Sequence, residues 1–113
     1  MLDAYNANPS SMKLAIENFA KVEANNKVLL LGAMAELGAE SIQEHKNILE
    51  LIQQYKWKAV VLVGGDFLKM DHPYIKFANS EEAKAWWKQQ QFQHTHALIK
   101  GSRSMKMENV LDD

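Results

Sequence analysis

Two short apolar runs, each stopped by glycine, limit what this chain can fold into. Lys27-Val28-Leu29-Leu30-Leu31 ends at Gly32, and Ala59-Val60-Val61-Leu62-Val63 ends at Gly64-Gly65. Neither run alternates apolar with polar residues, so neither has a face to offer water. Both are expected as strands buried on two sides, as in a parallel sheet covered by helices. Residues 74–78 form a third, alternating candidate, and residues 95–99, before Gly101, a fourth. Residues 1–5 read as the tail of another strand.

Helical patterns fall between the strands. Met12, Ala15, Ile16, Phe19 and Ala20 recur at helical spacing after Asn8-Pro9, a cap followed by a proline suited to the first turn. Ile42, His45, Leu49 and Ile52 form the inner stripe of a second helix, with Ile48 and Tyr55 beside it. Ser80 is the expected cap of a third, whose Glu81 and Glu82 suit the helix dipole and whose Ala83, Trp86 and Trp87 supply apolar contacts. A short fourth helix is expected after Ser104, carrying Met105, Met107 and Val110. Strands alternating with helices imply an α/β fold, a three-layer helix–sheet–helix sandwich with a mainly parallel sheet.

Composition narrows the class further. The 113 residues suffice for a single domain, 1–113, and 47% are apolar, enough for one core. Lys plus Arg is 13 against 14 Asp plus Glu, a net charge of −1, which argues against a nucleic-acid binder. The chain has no cysteine, which excludes disulfides, thiolate nucleophiles and zinc–thiolate sites and suits a reducing cytoplasm. No apolar run is long enough for a membrane span, and no secretory signal opens the chain.

Ligands of parallel sheets bind beyond the carboxyl ends of the strands. Here those ends read Asn6-Ala7-Asn8, Gly32-Ala33-Met34, Gly64-Gly65-Asp66, Asn79-Ser80 and Gly101-Ser102-Arg103-Ser104. They are small, polar or glycine-rich, as close approach of a ligand to backbone requires, although turn chemistry also explains the glycines. Arg103 is the only arginine in the chain. Its guanidinium can grip a carboxylate or phosphate through two parallel hydrogen bonds, with flanking hydroxyls and helix N–H groups adding to the site. A surface ion pair fits it equally well. Asp3, Tyr5, Asn6 and Asn8 could meet a sugar and a base, but a cap and a turn account for Asn8 and Pro9. His45 reads as a buried histidine bonded to a loop. His94 and His96 face one side without a third ligand, so no metal site is expected. Gly64-Gly65-Asp66-Phe67-Leu68-Lys69 lacks the second glycine and hydroxyl of a phosphate loop. No nucleophile elbow or complete active site is present, and the chain reads as a binding half.

Three segments together add a resemblance. Asp3-Ala4-Tyr5-Asn6-Ala7-Asn8-Pro9-Ser10-Ser11-Met12, Leu31-Gly32-Ala33-Met34-Ala35-Glu36-Leu37-Gly38 and Lys100-Gly101-Ser102-Arg103-Ser104-Met105-Lys106-Met107-Glu108 occur in this order. In sequence and spacing they resemble the Rossmann-like C-terminal domain of the Mur ligases, in the branch that adds D-alanyl-D-alanine to UDP-N-acetylmuramoyl-tripeptide. The resemblance implies a part in peptidoglycan precursor synthesis, and so in cell wall, cell shape and cell division. It implies a cytoplasmic enzyme in which separate N-terminal and central domains hold the UDP-sugar, the ATP phosphates and Mg2+. The C-terminal domain would bring the dipeptide and close over ATP, and be inactive alone. By motif, Asp3 resembles the family's ribose-binding aspartate, with Tyr5, Asn6 and Asn8 shaping the ATP-facing loop. Lys100, Gly101, Ser102, Arg103 and Ser104 would line the dipeptide pocket, with Gly64, Gly65 and Asp66 as weaker members. His45 and Glu36 are supporting candidates, and no residue is assigned as catalytic base or metal ligand. The family commonly has Gly-Asp-Met where this chain has Gly32-Ala33-Met34, so any role of that aspartate is absent here or falls to a neighbour such as Glu36. Met1 is expected as the start of an excised domain. The competing expectations are a freestanding, non-catalytic small-molecule or nucleotide binding module and a purely structural domain.

Overall fold

Alternate residues of the glycine-stopped runs do enter two different cores. In a computed structural model, which describes residues 2–3 and 8–111, β2 (Lys27–Gly32) and β3 (Ala59–Val63) lie side by side. Leu29, Leu31, Val60 and Leu62 pack into one cluster, while Val28, Leu30, Val61 and Val63 pack into another on the opposite face. The first cluster is closed by α1 (Pro9–Ala20) and α2 (Ser41–Ile52) through Met12, Ile16, Phe19, Ile48, Leu49 and Ile52. The second is closed by α3 (Ser80–Gln90) and by a 3-10 segment, Met107–Leu111, through Ala83, Met107 and Val110. A strand with helices on both faces has no use for polar residues, which is why these runs are continuous.

With β1 (Leu2–Asp3), β4 (Ile75–Phe77) and β5 (His96–Lys100), the sheet has five strands in the order β1-β5-β2-β3-β4. All four pairings are parallel. The chain moves one way across the sheet from β1 to β4, then returns through α3 to insert β5 between β1 and β2. Crossovers of a single hand must then put α3 on the face opposite α1 and α2, as observed. This is the sandwich expected from the sequence.

Four local details differ from expectation. Asn79, not Ser80, caps α3: it is extended, with φ −152°, and its side chain accepts from the Glu82 N–H at 3.0 Å, while Ser80 is the first helical residue. Ile42 has the right angle for the inner stripe of α2 but is 46% exposed, because it lies in the first turn and angle alone does not bury a residue at a helix end. Tyr55 falls beyond the end of α2 and is exposed. The fourth helix is two 3-10 segments, Arg103–Met105 and Met107–Leu111, separated by Lys106 in the left-handed region at φ 50°. That break lets Met105 and Met107 both reach the backbone of Gly32.

The end of α1 is tied down by charge. Lys27 Nζ donates to the carbonyls of Ala20 (2.8 Å), Val22 (3.2 Å) and Phe19 (3.4 Å) and lies 5.5 Å from the Trp57 ring, which itself stacks on Phe19. One ammonium thus satisfies carbonyls at a helix C-terminus, where the dipole favours a cation. Lys27→Met keeps the stem and removes the charge. It should cost about 1–3 kcal/mol, read as a lower urea midpoint at unchanged slope.

Candidate functional site

The carboxyl ends of the strands are level. Asp3 stands opposite Lys100, Lys100 opposite Leu31, Gly32 opposite Val63, and Val63 opposite Phe77. The loops that follow continue the ladder by one step. Ala33 N–H donates to Val63 O (2.9 Å), Gly64 N–H to Phe77 O (2.8 Å) and Ser102 N–H to Ala33 O (3.3 Å). The backbone of Asp3 and the segments 32–34, 64–66 and 100–104 therefore share one edge of the sheet. Tyr5 and Asn6 lie outside the described residues.

The predicted residues from Asn8 onward have described environments. Asn8 is committed to capping α1: its Oδ1 accepts from Ser11 N–H (2.9 Å), and its own N–H donates to Ser11 Oγ (3.1 Å). Lys100 is buried at the end of β5. Ser102 is buried with its hydroxyl 3.1 Å from that of Ser104, and Arg103 and Ser104 are exposed beside it. The expected helix N-terminus after Ser104 is a three-residue 3-10 turn that begins at Arg103 itself. A turn this short does not present the set of free N–H groups that the N-terminus of a longer helix would. Glu36 is exposed in the loop after β2, with φ 62°.

The glycines meet protein. A Cβ on Gly32 would stand 2.8 Å from Met107 Cγ, and one on Gly101 2.7 Å from the same atom. Gly64 adopts φ 72° and ψ −176°, a region that essentially only glycine enters, and faces Met105 Sδ at 2.6 Å from a built Cβ. Met105 and Met107 thus fill the space over three strand ends, a role the sequence reading did not give them. The signal was available: glycines ending three adjacent strands need a filler, and two methionines follow the last of them. Gly65 approaches Ala33 closely enough that a Cβ would lie 2.4 Å from the Ala33 Cβ. A recess of about 350 Å³ remains beside Met105, lined by Asn79, Ser80, Glu81, Ser104, Lys106 and Asn109.

Asp66 accepts a hydrogen bond from Ser41 Oγ and pairs with Lys69 at 3.2 Å. The Ser41 bond, then Lys69, hold its carboxyl below the ordinary 3.8. His45 is fully buried, edge-on to Phe67 with ring centres 4.7 Å apart. Met34 N–H donates to His45 Nε2 at 3.0 Å, so the proton is on Nδ1, which donates to Ser41 O at 2.7 Å. Ser41, His45 and Asp66 have the composition of a hydrolytic triad without its connectivity: the serine bonds the aspartate, and the imidazole nitrogen 3.4 Å from its hydroxyl is Nδ1, which carries the proton, while Nε2 is occupied by backbone. Among the described residues, no group of three or more His, Asp or Glu side chains could hold a metal ion.

Residues 1–105 match the profile of the Mur ligase, glutamate ligase domain family. The chain belongs to the Mur ligase family. A UDP-N-acetylmuramoyl-tripeptide–D-alanyl-D-alanine ligase of Rickettsia prowazekii is 33% identical, with 97% of this chain and 26% of that protein aligned. The enzyme of the same name from Escherichia coli is 34% identical over 96% of this chain and 25% of its own length. The chain thus spans about a quarter of the relatives it matches. MurF ligase from Thermotoga maritima, solved with ADP, shares the fold at TM-score 0.80 and 24% identity, over 97% of this chain and 26% of that one. A MurF from Acinetobacter baumannii aligns at TM-score 0.77 and 28% identity, over 96% of this chain and 26% of that one. No described helix is long and apolar enough to cross a membrane.

Two variants test this rim. Gly64→Ala must strain the backbone and displace Met105, and should cost about 1–3 kcal/mol in chemical denaturation. Asp66→Asn removes a carboxylate whose folded pKa is lowered. Its stabilising contribution is therefore complete above the ordinary 3.8 and is lost as pH falls below that value through the folded pKa. The stability gap between wild type and Asp66→Asn should be constant near neutrality and shrink in acid.

Proposed function

We propose that this chain is the C-terminal domain of an ATP-dependent ligase that joins D-alanyl-D-alanine to UDP-N-acetylmuramoyl-tripeptide. The observation that carries the reading is the shared rim: Asp3 ends the strand beside Lys100, and the lone arginine follows within the same edge. Relatives carrying that activity in their names align along nearly the whole chain, and a fold neighbour was solved with ADP.

In this reading the rest of the ligase holds the UDP-sugar, the ATP phosphates and Mg2+. The tripeptide carboxylate takes the γ-phosphoryl group of ATP, releasing ADP, to become an acyl phosphate; the dipeptide amine attacks it, and phosphate and a proton leave as the tetrahedral intermediate collapses to the amide. What this chain supplies is position. The Asp3 carboxylate accepts from ribose hydroxyls, with Tyr5, Asn6 and Asn8 shaping that loop. The Arg103 guanidinium takes the dipeptide carboxylate through two hydrogen bonds, beside the hydroxyls of Ser102 and Ser104 and the charge of Lys100. Gly64, Gly65 and Asp66 support the pocket from the neighbouring strand end, His45 from the first turns of α2 and Glu36 from the loop after β2. Holding the amine against the activated carboxylate is itself a large part of such a catalyst's work. UDP- and ATP-linked substrates place the reaction in the cytoplasm, within peptidoglycan synthesis and so upstream of cell division.

Steady-state kinetics of the intact ligase test the assignment. Arg103→Ala should raise KM for D-alanyl-D-alanine by about 30- to 100-fold, the worth of a bidentate charged pair, and Arg103→Lys should not restore it. An unchanged KM for the dipeptide rejects the role. A chain that binds small molecules with no ligase attached would favour a freestanding binding module.

A further inference from the structure

We infer that His45 is a positioning residue for the rim, acting through one peptide plane; the inference rests on the ligand reading of that rim given above. His45 is fully buried, so it cannot touch a substrate. Its Nε2 accepts the Met34 N–H, and its Nδ1–H is anchored on Ser41 O, in the first turn of α2. The Met34 N–H and the Ala33 carbonyl belong to the same peptide unit, which is planar and trans. Their bonds therefore leave in opposite directions: one to His45, the other from the Ser102 N–H. The plane is clamped at both ends, and the second clamp fixes the residue just before Arg103. Ala33 N–H adds a third tie, to Val63 O at the end of β3.

Removing the acceptor leaves the Met34 N–H unsatisfied beside a residue only 6% exposed. A buried donor without a partner seeks water or another acceptor, and the rigid plane carries the Ala33 carbonyl with it. The consequence falls on Ser102 and Arg103, not on the distant core. Edge packing against Phe67 gives His45 a second, purely steric role that variants can separate.

Amide hydrogen exchange on the intact protein, with dipeptide kinetics, tests the clamp. H45F keeps an aromatic ring without an acceptor, and H45Q offers an acceptor near the Nε2 position. H45F should speed exchange at the Met34 and Ser102 amides by about tenfold, the effect of one lost hydrogen bond, with Leu30 and Val61 unchanged. H45Q should bring both amides back towards wild-type rates. The dipeptide KM should rise in H45F and recover in H45Q. If H45F does not fold, H45N leaves no acceptor at the Nε2 position while its shorter amide stays near Ser41. Unchanged Ser102 exchange, equal acceleration of every amide, or an H45Q that behaves like H45F overturns the inference. So does altered exchange with an unmoved dipeptide KM, provided Arg103→Ala moves it. If Arg103→Ala leaves KM unchanged, the ligand reading fails instead, and exchange alone decides whether the clamp exists.

Discussion

Extension of the backbone ladder past the strand ends is the constraint on which the rim depends. Parallel strands finish with amides and carbonyls that still need partners, and a loop that leaves at once abandons them to water. Here Ala33, Gly64 and Ser102 each spend one more amide on the neighbouring chain before turning away. Three loops are thereby held in register with the sheet and with each other. A surface built this way is tied to the strands behind it, although almost none of it is regular structure. Under the proposed function, such a frame would serve to place one reactant against another.

The same extension explains why the rim is glycine-rich. Glycine at a strand end is easily read as room for a ligand. At Gly32, Gly64 and Gly101 the room is taken by Met105 and Met107, side chains flexible enough to fit an irregular gap. The methionines come from the segment that also carries Arg103, so the packing that closes the core fixes where the guanidinium starts. A substitution at any of these glycines would therefore reach the Arg103 segment through Met105 or Met107.

Much of this was legible in the sequence, for identifiable reasons. The runs ending at Gly32 and Gly64 are apolar on both faces and have only one structural use. Asn8-Pro9 can hardly be anything but a helix start. Positions decided by competition were not legible. Asn79 and Ser80 are both good caps, and the choice turned on which was extended when the chain left β4. Ile42 keeps the period of α2 but sits at its exposed end. The helix expected after Ser104 gave way to two 3-10 segments because both methionines had to turn towards the rim, which a regular helix would not allow. The site was legible as a set of loops, since strand ends on one edge must converge. The His45 clamp was not, because it depends on which peptide plane faces the imidazole.

Ala33 brings these threads together. Where the sequence resemblance leads one to expect an aspartate, this chain carries a buried alanine, 2% exposed, against which Gly65 packs at close range. A larger, charged side chain here would have to displace the backbone of Gly65 or bury a carboxylate beside it. Gly65 itself has φ 52°, with Asp66 next in the chain, already bonded to Ser41 and Lys69. The small Ala33 side chain thus leaves room for this contact between the loops after β2 and β3. What position 33 still supplies is its backbone: an amide to Val63, a carbonyl to Ser102, and a peptide plane held by His45. All three ties are made by main-chain atoms, so none of them depends on the identity of the side chain at position 33. The part of the site most dependent on residue 33 is therefore its main chain, which any residue of suitable size can provide.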